Sequence, residues 1–567
     1  MSSIDIETGA LSEVERIKQE SGGLRGTLAD ELAEGGTTFS DTAKQLLKFH
    51  GSYEQEDRDL RRERKQAGLE PAWQFMVRSK IPGGALTAAQ YLVHDELAER
   101  FGNGTLRITT RQGIQLHGVI KGDLRATIAT LNEALVTTLG ACGDVVRNVV
   151  GCPAPLPGTA RAEALSLVKR VSDRFLPATR AYHEIWVDGE KVAGGEPEPE
   201  VDPVYGDRYL PRKFKIAFAF PDDNCTDVHT NDLGLLVIER DGALAGFNVL
   251  VGGGLGRTHG KTTTYPRLAD PLAFVPPDEV LEVAAAVIAV QRDWGNRTDR
   301  RHARLKYLLD ERGIGWFRAE VERELGRALL PPLPVTVTGV HDHLGWHRQG
   351  DGRWFYGIFV ENGRVSDTPK LRLRSALREA AARFGAGVHL TTQQNVLLTD
   401  IPGDDRASVE RLLAEHGLVP LHQLSGARRW SMACPALPTC GLALAESERV
   451  LPAVMDRLET ELAKIGLADE PVSIRMTGCP NGCARPYTAE LAFVGRSLGK
   501  YAVYLGGSWE GTRLATPWAD LVPLDDLVPT VLPLFERFAR ERTPGEAFGD
   551  FHRRVTQAPA VAAEVAA

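Results

Sequence analysis

The sequence lacks the features that mark membrane, secreted and nucleic-acid-binding proteins. Its 567 residues contain no run of about eighteen apolar residues, so we expect no transmembrane helix. The formal net charge of −8 argues against a dedicated nucleic-acid-binding protein, because such proteins are usually basic. The first residues lack the basic start and apolar core of a signal peptide. We therefore expect a cytoplasmic globular protein without a nucleic-acid or membrane partner.

Nucleotide-binding motifs are also missing. The glycine-rich stretch VGGGLGRTHG at 251–260 ends a predicted strand, without the GxGxxG spacing and the following helix that a dinucleotide site requires. We therefore expect no NADPH or flavin site in this chain.

Cysteine is scarce, yet four of the seven cysteines lie between 433 and 483. ACPALPTC separates Cys434 from Cys440 by five residues, and TGCPNGC separates Cys479 from Cys483 by three. Thiolates are preferred ligands of iron–sulfur clusters and of zinc. Disulfides need an oxidising compartment, and structural zinc usually takes pairs two to four residues apart, which only the second pair fits. We favour a 4Fe–4S cluster, with zinc as the alternative.

The other three cysteines have no evident pairing. We interpret Cys142, Cys152 and Cys225 as free buried thiols.

The chain contains an internal repeat. GVHLTTQQNVLLTDI at 387–401 matches TLRITTRQGIQLHGV at 105–119 without a gap, and each copy follows a helix-like segment, AARFGAG or AERFGNG. GFNVLVGGG at 246–254 resembles KYAVYLGGS at 500–508. Self-similarity of this kind is typical of paired structural units. We predict two related halves around a shared central site.

Basic residues are concentrated in the first half. If 105–119 is one continuous strand, Arg107, Thr109 and Arg111 share a face, because successive side chains point to opposite sides. Lys213 and Lys215 likewise share a face at the start of a predicted strand, although a solvated surface is an alternative for both groups. An anion between the halves would meet cations from one half and metal from the other.

At the cysteines the sequence resembles a known family. ACPALPTCGLALAESERVLP followed by RMTGCPNGCARP is similar to the paired cysteine motif of the siroheme-containing sulfite and nitrite reductases. The likeness includes LLKFHGSYEQEDRD and extends from about residue 46 to 551. It implies an α+β fold of three domains with an internal pseudo-twofold repeat and cofactors at the domain interface. The implied division is an N-terminal arm at 1–70, ferredoxin-like halves at 71–149 and 346–420 that pack together, and two siroheme reductase domains at 150–345 and 421–567.

The resemblance also implies roles for individual residues. The four cysteines Cys434, Cys440, Cys479 and Cys483 would bind the cluster, and Cys483 would also be the axial ligand of the siroheme iron. The segments RSKIPGG, DVVRNV and LPRKFK match those that bring cations to the substrate side of the siroheme, where they bind sulfite and supply protons: Arg78, Arg147, Lys213 and Lys215. Residues expected to contact the cofactors are Arg107, Thr109, Arg111, Gln115, His117, Lys306 and Asn481. Lys306 lies in the basic segment 296–309, which is predicted to be helical and has a solvated face as its alternative.

The activity implied by the resemblance is the six-electron reduction of sulfite to hydrogen sulfide by an assimilatory sulfite reductase hemoprotein. The alternative within the same chemistry is reduction of nitrite to ammonia; the lysine pair and FHGSYEQEDRD favour sulfite. A non-catalytic zinc-thiolate protein is the alternative from another class. Because no NADPH or flavin motif is present, electrons would come from a partner, either an NADPH-dependent flavoprotein or a ferredoxin.

Overall fold

The computed structural model describes residues 11–179, 185–187, 190–193 and 201–557. Within these ranges the chain forms five β-sheets with helices packed against them, which confirms the predicted α+β class. None of the helices in these ranges combines the length and apolar character needed to cross a bilayer.

The N-terminal segment packs onto the body and adds a strand to its first sheet. Lys18 is buried and its Nζ donates to the Leu210 carbonyl at 2.7 Å. Further along the chain, the helix Ala88–Arg100 starts with a capping box, in which the side chains of Thr87 and Gln90 each accept a hydrogen bond from the other residue's backbone N–H. The elements up to residue 133 are α1 (Glu13–Glu20), α2 (Leu28–Ala33), α3 (Asp41–Leu47), β1 (Ser52–Glu56), α4 (Arg61–Gln66), β2 (Trp73–Arg78), β3 (Ala85–Leu86), α5 (Ala88–Arg100), β4 (Leu106–Ile108), β5 (Ile114–Val119) and α6 (Leu124–Glu133).

The next body is a four-stranded sheet covered by helices. Its strand order is β11-β10-β9-β8, and β6 and β7 pair with each other in a separate antiparallel two-stranded sheet. The elements are α7 (Thr159–Arg174), β6 (Ile185–Val187), β7 (Glu190–Ala193), β8 (Ile216–Ala219), β9 (Leu233–Arg240), β10 (Ala243–Val251), β11 (Asp270–Val275), α8 (Val280–Trp294), α9 (Leu305–Arg312) and α10 (Ile314–Leu325).

The second half of the repeat and the cysteine-bearing body complete the chain. The elements are β12 (Gly345–Arg348), β13 (Trp354–Ile358), β14 (Arg364–Val365), α11 (Leu373–Phe384), β15 (Gly387–Leu390), β16 (Val396–Ile401), α12 (Arg406–Glu415), α13 (Gly426–Arg429), β17 (Ser431–Ala433), α14 (Leu451–Lys464), β18 (Ile474–Thr477), β19 (Leu491–Ser497), β20 (Lys500–Leu505), β21 (Thr516–Pro523), α15 (Leu527–Glu541) and α16 (Phe548–Gln557).

The two halves of the repeat exchange short strands. Their sheets run β1-β2-β5-β4-β14 and β12-β13-β16-β15-β3, so each half lends a two-residue strand to the other sheet. Gly84 and Gly363 stand next to these strands with φ of +77° and +74°, and a Cβ on either would collide with a carbonyl oxygen of the opposite half. The halves are therefore interlocked, as the sequence repeat predicts. The exact domain borders stay predictions.

The two larger bodies repeat one strand order. In the first, β8 is parallel to β9, with Ile216 opposite Leu233, and β10 and β11 follow antiparallel. In the second, β18 is parallel to β19, with Ile474 opposite Leu491, and β20 and β21 follow antiparallel. Positions in the two bodies can therefore be matched residue by residue near these strands.

The prediction of one continuous strand over 105–119 is wrong. The segment forms a hairpin, in which a turn separates β4 from β5. The Thr109 hydroxyl accepts hydrogen bonds from the Arg111 and Gly113 backbone N–H groups, and Gln112 has a φ of +53°. Arg107 and Arg111 therefore do not share a strand face. Arg107 lies in β4 and Arg111 lies in the turn.

The prediction of a helix over 296–309 is also wrong in its first part, because α9 begins only at Leu305. Polar side chains capture the local backbone instead of allowing a helix to start. The Asn296 Oδ1 accepts from the N–H groups of Thr298 and Asp299, and the Asp299 Oδ1 accepts from that of Arg301.

Candidate active site

Five cations from separate elements lie close enough to interact electrostatically, directly or through Tyr53, and we call this group the cation pocket. Arg78 ends β2, Arg111 lies in the β4–β5 turn, Arg147 lies in the segment before α7, and Lys213 and Lys215 lie just before β8. All five side chains are half-buried. The parallel bridge between Val146 and Phe214 fixes Arg147 beside the two lysines.

The three arginines of the pocket donate hydrogen bonds to neutral partners. Arg78 donates to the Cys142 Sγ at 3.1 Å, Arg147 donates from Nε to the Gly143 carbonyl at 2.7 Å, and Arg111 donates to the Asn231 Oδ1 at 2.9 Å. Within the described ranges, none of the five forms a salt bridge with a carboxylate. Taking positive charge out of water costs several kcal/mol unless a counter-charge offsets it. The pocket is therefore built to receive an anion.

The electrostatics of the pocket favour proton donation near neutral pH. Burial, together with the neighbouring charges of Arg111 and Arg304, lowers the pKa of Lys215 to about 7, while the nearby Cys483 thiol acts in the opposite direction. Burial also lowers the pKa of Lys213 well below its ordinary value, with Arg212 and Lys215 adding to the effect. Crowded lysines of this kind can both bind an anion and release a proton to it.

The four predicted cluster cysteines lie in two loops of the second body. Cys434 and Cys479 are buried, Cys440 is half-buried and Cys483 is exposed. The Gly478 N–H approaches the Cys434 Sγ at 3.4 Å, and Asn481 donates from Nδ2 to the Cys479 Sγ at 3.4 Å. Burial raises the pKa of Cys479 to about 12, and the neighbouring thiols act in the same direction. These thiols need a metal beside them to ionise at neutral pH.

The spacing of these thiols indicates whether they bind a multi-iron cluster or a single zinc ion. Zinc holds sulfur at about 2.3 Å, which puts tetrahedral ligands less than about 4 Å apart. Among the described residues, three or more potential ligands come within 4.8 Å of one another only in a group formed by Cys152, Asp223, Cys225 and His343. No three of the four predicted cysteines meet this limit, which favours a multi-iron cluster over the zinc alternative.

Cys483 joins the cysteine loops to the cation pocket. The Thr110 hydroxyl, in the β4–β5 turn, donates to the Cys483 carbonyl at 2.9 Å. The Cys483 thiol interacts electrostatically with both Arg78 and Lys215. The structure thus brings the predicted thiolates and the predicted anion-binding cations together at one cysteine.

Other predicted residues form a row across the first sheet. Arg78, Gln115 and Arg107 are direct cross-strand partners, so their side chains lie on one face. Arg107 is fully buried and donates to Glu448 at 2.8 Å and to the Ala433 carbonyl at 2.7 Å, which ties it to the residue before Cys434. Arg107 therefore supports the cysteine loop.

Two buried nitrogens near the pocket have no hydrogen-bond partner among the described residues, the Arg111 Nε and the His117 Nε2. The His117 Nδ1 contacts the Gln55 Oε1 at 3.2 Å, and burial lowers the pKa of this histidine to about 3. Unpartnered buried polar atoms beside uncompensated cations fit a carboxylate-rich ligand such as a siroheme.

The remaining predicted contacts have mainly local partners. The Thr109 hydroxyl closes the β4–β5 turn. Lys306 is buried and donates from Nζ to the carbonyls of Gly254, Gly256 and Tyr265, which uses all three of its N–H groups. Its predicted contact with a cofactor carboxylate stays a prediction; in this geometry Lys306 shapes the glycine loop that lies against the Asn481 backbone.

Sequence reasoning missed several residues of the site. Tyr53 is hydrogen-bonded to Cys142 beside Arg78, and burial raises the pKa of its hydroxyl to about 12. Arg304 pairs with Asp232 through two hydrogen bonds of 2.9 and 2.8 Å just behind Lys215. Tyr53 belongs to the HGSYEQEDRD segment, whose likeness to the family was the available signal. Nothing in the sequence pairs Arg304 with Asp232.

Comparison with known proteins places the chain in a family. Residues 169–329 match the nitrite and sulphite reductase 4Fe-4S domain, and residues 71–134 and 347–416 match the nitrite/sulfite reductase ferredoxin-like half domain. The chain therefore belongs to the nitrite and sulphite reductase family. Its cofactors are those of that family, a 4Fe–4S cluster and a siroheme.

Individual relatives agree with this placement over almost the full length. The chain is 49% identical over 557 residues to the sulfite reductase (NADPH) hemoprotein beta-component of Myxococcus xanthus, and covers 98% of each chain. It is 47% identical over 562 residues to the sulfite reductase (ferredoxin) of Synechococcus elongatus, covering 96% of this chain and 89% of that one. The structure of the Mycobacterium tuberculosis NirA protein superposes with a TM-score of 0.75 at 27% identity, covering 96% of both chains.

Proposed function

We propose that this chain is the hemoprotein of an assimilatory sulfite reductase and catalyses the six-electron reduction of sulfite to hydrogen sulfide. The observation that carries the proposal is the cation pocket, whose five cations lack carboxylate partners among the described residues and meet a cluster cysteine at Cys483. The names of the similar sulfite reductases support sulfite over nitrite as the substrate.

The cofactors are held by the chain's own donors. Cys434, Cys440, Cys479 and Cys483 would hold the cluster, and the Cys483 thiolate would also be the donor to the siroheme iron. Arg111, Gln115 and His117 face the siroheme, and Arg107 and Asn481 hold the cysteine loops in place. When bound, the two cofactors would supply the electron-transfer chemistry of the reduction.

The cation pocket performs the acid–base and electrostatic part of the reaction. Arg78 and Arg147, each fixed by a neutral partner, bind the sulfite oxygens without spending their charge on a carboxylate. Lys213 and Lys215 donate protons to the departing oxygens, because burial and the neighbouring cations lower their pKa values. Preorganised cations of this kind stabilise charge as each S–O bond breaks.

A separate protein supplies the electrons, because the sequence contains no NADPH or flavin motif. Relatives named for NADPH and for ferredoxin are almost equally identical to this chain, so either kind of donor is compatible with it. Turnover supported by an NADPH-dependent flavoprotein, compared with turnover supported by reduced ferredoxin, identifies the donor. A cytoplasmic location is part of the proposal, because cluster thiolates need a compartment that keeps cysteines reduced.

The test is steady-state turnover of the purified holoenzyme with dithionite-reduced methyl viologen. We expect kcat/KM for sulfite to exceed that for nitrite at least about tenfold, a difference of about 1.4 kcal/mol in transition-state binding, with sulfide as the product. Cys483→Ser should lose this activity and its visible absorption. A preference for nitrite, with ammonia as the product, would instead identify a nitrite reductase built on the same site.

A further inference from the structure

A second set of metal-binding side chains lies in the first body, which we call the buried tetrad: Cys152, Asp223, Cys225 and His343. All four are buried, and their donor atoms lie within 4.8 Å of one another. The His343 Nε2 is 3.2 Å from the Cys152 Sγ and 2.9 Å from the Asp223 Oδ2. The tetrad thus combines two thiols, an imidazole and a carboxylate in a water-poor space.

Its second cysteine, Cys225, matches Cys483 in the internal repeat. Each stands nine residues after the residue that opens the parallel strand pair, Ile216 or Ile474. The carbonyl of each also accepts a hydrogen bond from a repeat turn of the opposite half: Thr392 donates to the Cys225 carbonyl at 2.6 Å, as Thr110 does to that of Cys483.

Its first cysteine, Cys152, matches Cys434. The segment CPAP at 152–155 aligns with CPAL at 434–437, and both segments follow a chain that runs parallel to the first strand of the body. The positions that match Cys440 and Cys479 hold Gly158 and Pro221. The tetrad therefore has only two of the four cluster thiols, and His343 and Asp223 complete the set.

The hydrogen bonds of the tetrad converge on one imidazole nitrogen. One imidazole Nε2 faces both a thiol sulfur and a carboxylate oxygen, although it can donate only one proton. Two thiolates, a carboxylate and a neutral imidazole carry three negative charges, which a divalent cation reduces to one. Arg485 donates to the Cys225 carbonyl at 3.1 Å and also pairs with Asp227 at 2.9 Å, so it adds positive charge beside the tetrad that this carboxylate partly offsets.

The surroundings orient the donors towards one point. The Asp223 Oδ1 accepts from the backbone N–H groups of Cys225 and His341 at 3.2 and 3.1 Å, which leaves Oδ2 turned to the tetrad. His343 adopts a left-handed backbone, with φ of +56°, which is unusual for a residue other than glycine. This arrangement corresponds to the outer contacts that fix metal ligands.

We propose that Cys152, Asp223, Cys225 and His343 bind one structural zinc ion. Two thiolates with one imidazole and one carboxylate form a closed four-ligand set that suits zinc. The ion would join the segment before α7, the loop after β8 and the segment before β12, so its role is to fix the first body against the second half of the repeat.

The experiment is zinc analysis of holoenzyme produced with ample zinc and iron and dialysed against EDTA. We expect about one zinc per chain, and a zinc K-edge absorption spectrum with two sulfur and two nitrogen or oxygen neighbours. Cys152→Ser and His343→Ala should each lower the zinc content at least about tenfold. His389→Gln is the matched control, because this half-buried histidine contacts the Pro153 carbonyl at 2.9 Å without belonging to the tetrad, and it should keep its zinc.

The absorption spectrum of the wild-type protein decides the question even if the variants do not fold. Zinc below about a tenth of an ion per chain would overturn the proposal. So would a shell of four sulfurs, which would place zinc at the cluster cysteines, or a Cys152–Cys225 disulfide found by mass spectrometry of the alkylated protein.

Discussion

The residues just before β8 and just before β18, where the two parallel strand pairs begin, have the same backbone hydrogen bonds but differ in side-chain charge. We call these two places the first mouth and the second mouth. Before β8, the Lys215 N–H donates to the Asp232 Oδ2 at 2.8 Å; before β18, the Ser473 N–H donates to the Glu490 Oε2 at 2.9 Å. Lys215 faces the cation pocket, whereas Ser473 has no charge to offer. One hydrogen-bond pattern therefore supports a reactive mouth in one body and a neutral mouth in the other.

The two repeat turns differ in the same way. Gln112 and Gln394 both have positive φ, and the threonine three residues before each closes the turn by accepting a backbone N–H. Arg111 of the first turn reaches into the cation pocket, where the second turn has Gln393. The backbone is thus preserved between the copies, and the function is set by a few charged side chains.

Replacing the reactive lysine should have the largest effect. Lys215→Met makes the first mouth as neutral as the second, so kcat for sulfite should fall about a hundredfold or more, in line with the loss of a general acid. Siroheme absorption should stay, because cofactor binding rests on other residues. Lys500→Met, at an exposed lysine of the equivalent body, should change kcat by less than about twofold. Unchanged sulfide production in Lys215→Met would remove this lysine from the mechanism.

The pH profile tests whether Lys215 acts through its proton. With a pKa of about 7, the lysine is protonated below neutrality and loses its proton as the pH rises, so wild-type kcat should fall above about pH 7. Lys215→Arg keeps a positive charge at all these pH values, because an arginine side chain does not release its proton in this range. Its kcat should be low and flat across pH 6–9; a falling limb like that of the wild type would assign the titration to another group.

We expect a smaller effect on sulfite reduction when Arg111 of the first repeat turn is replaced by glutamine, the residue type at the matching position of the second turn. Arg111→Gln removes one cation that lacks a carboxylate partner within the described ranges, and a charged hydrogen bond is worth about 1.5–3 kcal/mol. The KM for sulfite should rise about tenfold or more, with part of the siroheme lost. Arg100→Gln, at the exposed end of α5, is the control. A KM equal to the wild type's in Arg111→Gln would contradict a role for this turn in anion binding.

The sequence predicts the architecture better than it predicts contacts. Strand β10, helix α8 and the β19–β20 pair follow from apolar periodicity and glycine ends, which are local signals. The hairpin at 109–113 was missed because alternation continues through it, although a threonine side chain closes the turn. The pairing of Arg304 with Asp232 and the buried tetrad depend on contacts between segments that are distant in the sequence. The signal of the tetrad in the sequence was the similarity of CPAP at 152–155 to CPAL at 434–437.

The smallest effect is expected at the neutral mouth. Burial raises the pKa of Glu490 to about 7, against hydrogen bonds from Gly549 and Ser473 that lower it. Between pH 4.5 and 7 the folded protein therefore binds a proton that the unfolded chain has released, so the free energy of unfolding falls as the pH rises through this window. The full cost, at most roughly 3 kcal/mol, is present above pH 7.

Glu490→Gln removes this titration. The wild type should lose a few degrees of melting temperature between pH 5 and pH 8 relative to the variant. Asp232→Asn tests the other mouth, because it leaves the buried Arg304 without its counter-charge and should lower the melting temperature at both pH values. If the melting temperatures of the wild type and of Glu490→Gln change with pH in the same way, Glu490 stays ionised in the folded protein. The three hydrogen bonds it accepts would then outweigh its burial, and the two mouths would differ in their cations alone.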